Sequence, residues 1–160
     1  MQRMACQLEL SKAQEKVANV DGAPWIRNQI EFHGLVDAIG LDFYHLRENL
    51  QKSRRIVFGE ESSEGKAWLD GLMHTFRHVG YDAAWDQLAG WRTSLRSPAK
   101  RKEGNRLTQY VAERQPMICY PEFRRRGWQI AAGGPRASVR RPPTASKAVD
   151  GDGTVTMLRL

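Results

Sequence analysis

Apolar residues fall into two kinds of run along the chain, and the change between them sets the first division. Met4 and Leu8 with polar residues between them predict a helix over 4–15. Lys16 to Val20 is short and partly β-branched, and it ends on Asp21-Gly22, a turn signal, so it predicts a strand. Pro24 stands where helices begin, and Trp25, Ile26 and Ile30, with Phe32 beyond them, give a short helix an apolar face that stops at Gly34. A second apolar run, Ala38-Ile39-Gly40-Leu41, leads into Asp42. Strand, helix, strand in that order predicts two parallel strands, the α/β pattern.

After His45 the period becomes helical. Leu46, Leu50, Ile56 and Val57 fit one helix, and Gly59 to Glu64 is a polar break. Trp68, Leu69, Leu72, Met73, Phe76 and Val79 make a stripe closed by Gly80. Ala84, Trp85, Leu88, Trp91 and Leu95 make the next, closed by Ser97-Pro98, and Leu107, Tyr110 and Val111 mark a third, closed before Pro116. From Ala131 the chain turns to Gly, Pro, Arg, Ser and Ala without period and reads as disordered through 160.

Composition adds limits. The chain has 160 residues, 41% of them hydrophobic, enough for one domain with a real core. The apolar runs all fall well short of the roughly 20 residues that cross a bilayer, and Met1 to Leu10 carries no export pattern. Cys6 and Cys119 are far apart, which argues against a disulfide framework or a Cys-rich zinc site and makes a reducing cytoplasm the default. The net charge is +7, of which the stretch from Ala131 onward supplies +3. That excess is compatible with a polyanionic partner without requiring one.

The chemistry-bearing residues sit at strand ends. Asp21 ends one strand and is followed by Gly22; Asp42 ends the next, with His45 three residues later. In parallel α/β sheets, ligand chemistry gathers at the carboxyl edge, so Asp21 and Asp42 are expected on one edge. A plain Asp-Gly turn is the competing reading. His74 and His78 have helical metal-ligand spacing, but no Glu follows His74, and a surface or packing role fits better. Trp68, Trp85 and Trp91 lie on apolar stripes and read as core. Lys100-Arg101-Lys102 and Arg124-Arg125-Arg126 are two basic runs, either solvated faces or phosphate contacts.

The segment Val20-Asp21-Gly22-Ala23-Pro24-Trp25-Ile26, followed by Leu41-Asp42-Phe43-Tyr44-His45-Leu46, resembles bacterial insertion-sequence transposases of the Asp-Asp-Glu class, closest to the Kra-type elements. The resemblance spans residues 10–130. It implies a partial RNase H-like unit (strand-helix-strand) over 1–50, an all-helical insertion over 51–126 and a return to the catalytic core at 127–130. It makes Asp21 the second of three metal-binding carboxylates and a catalytic residue. Asp42 with His45 matches a signature on the next strand; His45 would orient the scissile phosphate or a neighbouring group, or a hydrogen bond would simply fix the strand-to-helix turn. Such enzymes use Mg²⁺, a hard cation suited to carboxylates, to cut and join DNA. The implied partners are element ends and target DNA, with self-association left open and no membrane.

The pattern breaks after Gly127-Trp128-Gln129-Ile130. The family continues Gly-Ser-Gly-x-x-Glu, whereas this chain reads Ala131-Ala132-Gly133-Gly134-Pro135-Arg136. Codons chosen for Ala131 to Arg136 and read one nucleotide earlier can encode Gly-Ser-Gly-x-x-Glu. Codons for Val149 to Arg159 shifted the same way can encode the family's Arg-Arg-Trp-Asp continuation. A frameshift after Ile130 is therefore expected, as is truncation before the strand that carries the first Asp. Arg136 then stands in place of the catalytic Glu, and a cation there repels Mg²⁺. The expected outcome is a chain inactive by itself. The alternative is a non-catalytic DNA-binding or self-associating helical module. A third outcome is poor folding, because two strands without sheet neighbours leave an open edge.

Overall fold

The computed structural model describes residues 15–23, 29–30, 32–34, 36–131 and 155–159. Strand β1 (Glu15–Val20) and strand β2 (Ala38–Leu41) pair in parallel, with Val17 opposite Ala38 and Val20 opposite Leu41. The expected parallel pair is therefore present. Of the intervening helix, Gln29, Ile30, Phe32 and His33 are helical, and Gly34 ends it at φ +56°. Ile30 is buried but Phe32 is 82% exposed, so Phe32 does not belong to the apolar face. Trp25, Ile26 and the helix expected over 4–15 lie outside the described residues, apart from Glu15, which opens β1.

Four helices follow: α1 (Phe43–Phe58), α2 (Ser63–His78), α3 (Tyr81–Ser94) and α4 (Pro98–Glu113). A 3₁₀ turn (Gln115–Met117) and a short α5 (Tyr120–Arg125) complete the run. Asp42 caps α1, accepting hydrogen bonds from the N–H groups of Tyr44 at 2.8 Å and His45 at 3.4 Å. Ser62 caps α2 through the Gly65 N–H at 3.0 Å. Such caps satisfy backbone donors that have no partner within the helix. Gly80 adopts φ +133° and stands at the start of α3 as well as after the end of α2. Ser97-Pro98 opens α4, and α3 already ends at Ser94.

The stripes read from sequence form the core, with two corrections. Leu46, Leu50, Leu72, Phe76, Leu88 and Leu107 are buried in one cluster that also takes in Val20 and Leu41 from the sheet. Helices and strands thus share this cluster, and Val17, Phe123 and Trp128 form a second. Ile56 is 55% exposed and Val79 is 64% exposed. Val57 already occupies the inward position on that turn of α1, and Val79 lies past the last turn of α2, where the helical period no longer points inward.

The third strand is a correction of another kind. Val155–Arg159, expected to be disordered, forms β3 and pairs in parallel with the free edge of β1, Val17 opposite Met157. The strand order is β2-β1-β3. A short apolar, β-branched run next to an open edge satisfies that edge's backbone groups. The rest of the expected tail, Arg136 included, lies outside the described residues.

Candidate functional site at the carboxyl edge of the sheet

Because β1 and β2 run in parallel and in register, Asp21 and Asp42 follow directly after paired residues Val20 and Leu41. The Asp42 N–H donates to the Val20 carbonyl at 2.8 Å, which ties the two strand ends together. Both aspartates therefore leave the sheet at one edge. Their surroundings differ. Asp21 is exposed, and its carboxylate accepts the Ala23 N–H at 2.8 Å, a tight Asx turn. Asp42 is buried, and one carboxylate oxygen is engaged in capping α1.

Gly22 has a reason beyond its φ of +84°. A Cβ there would lie 2.6 Å from Nε of Arg114 and 2.9 Å from a Leu41 methyl. Arg114, just past α4, donates to the Gly22 carbonyl at 3.0 Å and to the Tyr110 carbonyl at 3.0 Å. Its guanidinium stacks 4.0 Å above the Tyr110 ring. The end of the helical run is thereby fastened to the turn that carries Asp21. Arg114 escaped the sequence reading because its partner carbonyl is 92 residues away.

Two tyrosines close this corner from the core side. Burial raises the pKa of the Tyr110 hydroxyl; Arg114 opposes the rise, and Asp21 adds to it. Burial holds the Tyr120 hydroxyl well above its ordinary pKa, with Tyr110 and Asp42 adding to the effect. Both phenols are neutral near physiological pH, and neither hydroxyl has a hydrogen-bond partner among the described residues. Segment 127–130 returns to the same sheet. Asn19 donates its amide to the Gln129 carbonyl at 2.7 Å, and Phe43 donates its N–H to the Ile130 carbonyl at 2.9 Å. Trp128 packs with Val17 and Phe123.

The other candidate side chains are separate from this edge's two carboxylates. His45 is exposed on the first turn of α1, 3.3 Å from Glu48. His74 and His78 stack with ring centroids 4.4 Å apart, and His78 lies 2.9 Å from Arg124. Lys100, Arg101 and Lys102 are exposed on the first turns of α4. Arg125 and Arg126 both pair with Glu122.

This donor set does not make a two-Mg²⁺ site. Asp21 and Asp42 each have one carboxylate oxygen engaged by backbone N–H groups, and among the described residues no three His, Cys, Asp or Glu side chains lie together. No helix among the described residues is long and apolar enough to cross a membrane. No protein-family model, curated protein or solved structure matches the chain.

Proposed function

We propose that this chain is a fragment of an Asp-Asp-Glu transposase catalytic core, of the kind that cuts and joins DNA when an insertion sequence moves, working in the cytoplasm. The observation that best supports this reading is the shared edge: Asp21 and Asp42 leave parallel, in-register strands together, in the order and spacing of the motif they resemble. In this reading Asp21 is the metal-binding carboxylate. Asp42 and His45 hold the strand-to-helix turn beside it, and α2 to α4 are the insertion that contacts DNA.

The fragment is inactive by itself. In-line displacement at phosphorus with two Mg²⁺ ions needs carboxylates from several elements to hold both ions. Asp21 with a capping Asp42 supplies too few. The test is a nicking assay on supercoiled plasmid with Mg²⁺, comparing the chain with its Asp21→Ala variant. Equal background for both is expected; Mg²⁺-dependent nicking that disappears in Asp21→Ala would show a working site and contradict inactivity.

A second reading, a non-catalytic DNA-binding helical module, is favoured by one observation. The helices carry a cluster of cations at the α3–α4 corner for which the described residues provide no ion pairs.

A further inference from the structure

The two basic runs that look alike in sequence are different in space. Around Arg124, Arg125 and Arg126 every guanidinium has a side-chain partner: Glu122 pairs with Arg125 and Arg126, and Arg124 is hydrogen-bonded to His78. Desolvation first, then Arg124, lowers the His78 pKa, which favours the neutral ring beside that guanidinium.

The corner between α3 and α4 is the opposite case. Arg92 lies in the last turn of α3, Arg96 in the link, and Lys100, Arg101 and Lys102 at the start of α4. All five are exposed, and among the described residues none forms an ion pair. The first turn of α4 has no acidic residue, and Ser97 makes no side-chain cap hydrogen bond. Lys100, Arg101 and Lys102 stand near the positive end of the α4 dipole, which disfavours cations, so an anion bound at this corner is favoured.

The cations also share a shape. Arg92, Arg96 and Arg101 line an open cavity of about 620 Å³ with Thr93, Leu95 and Asn105. A second cavity of about 490 Å³ adjoins it through Leu95 and Arg96 and adds Lys100 and Trp91. Glu64 is the one acidic residue lining either. A concave, cationic surface rich in guanidinium forks matches phosphate oxygens, which accept paired hydrogen bonds.

We infer that the α3–α4 corner is a groove for the phosphate backbone of duplex DNA, with Arg92, Arg96 and Arg101 as its contacts and Lys100 and Lys102 at its rim. The choice of DNA as the polyanion rests on the proposed function; the groove itself rests on the charge and shape of the corner. Phosphate contacts fix position on the duplex and carry no sequence information, so binding is sequence-tolerant.

The test is fluorescence anisotropy of a labelled duplex with the full chain in EDTA over a range of salt. Each phosphate contact contributes about 0.9 to the slope of log affinity against log salt, so R92A/R96A/R101A is expected to flatten the slope by about 2–3 and weaken binding by about tenfold or more. R92K/R96K/R101K retains most of the slope, because it keeps the charge, and R124A/R125A changes it little. An unchanged slope in the triple alanine variant overturns the groove, as does binding of the chain to anionic lipid vesicles but not to duplex. EDTA removes divalent cations, so this result stands or falls apart from the catalytic reading that the Asp21→Ala assay addresses.

Discussion

Glu103 is a buried carboxylate whose charge contributes to folding. It is buried at the α1–α4 contact, where Ser53 Oγ donates to it at 2.6 Å and Arg106 donates through Nη2 at 2.7 Å and Nε at 2.9 Å. Burial alone would raise its pKa, but the bonds from Arg106 and Ser53 outweigh burial and hold it below its ordinary value. A depressed carboxylate stabilises the fold above the unfolded-state pKa of about 4.3, and that contribution is lost as pH falls through the lower folded value. Glu103→Gln is expected to cost about 1–3 kcal/mol at pH 7, toward the low end because Arg106 is 43% exposed and screened by water. In urea melts the gap between wild type and variant should narrow as pH drops below about 4; a gap constant from pH 7 to 3 would contradict the account. None of this was legible in the sequence, because Ser53 and Glu103 are 50 residues apart. Asp42 was partly legible. For His45 with Asp42 the sequence left a turn-fixing hydrogen bond open beside a role at phosphate, and the structure contains such bonds, from the Tyr44 and His45 N–H groups to Asp42.

At the scale of elements, periodicity located all four long helices and failed at their ends. A stripe marks the buried face through the middle of a helix, but it overruns where the helix stops, as at Val79, or where a neighbouring residue already fills the inward position, as at Ile56. The difference is measurable. Phe76 is fully buried, and Phe76→Ala is expected to cost about 3–5 kcal/mol, whereas Ile56→Ala should change stability by less than about 0.5 kcal/mol. Equal losses in urea melts would mean that α1 packs through another face. Gly40 shows why one strand residue stays small: a Cβ there would lie 2.7 Å from the Phe123 ring, because α5 presses directly on β2. Sequence marks Gly40 only as a gap in an apolar run, since the ring that requires it comes from a distant helix.

For the whole molecule, the parallel β1–β2 pair and the helical run were legible because each is specified by local pattern. The pairing of β3 with β1 was not. It joins residues about 140 positions apart through a stretch whose composition reads as disordered. The fastening of Arg114 to Gly22 was equally out of reach, yet it sets the turn on which the candidate site depends. Asp21 stands out as the exposed carboxylate at that edge, held by its Asx turn, next to a buried Asp42 that caps α1. The proposed lineage predicts that the third carboxylate of this edge is encoded immediately after the Gly127–Ile130 segment but in another frame. Sequencing the gene across the codons for Ile130 to Arg136 tests this directly. Gly-Ser-Gly followed, after two intervening codons, by Glu is expected when those bases are read one nucleotide earlier. A shifted frame with no acidic residue at that point would contradict it.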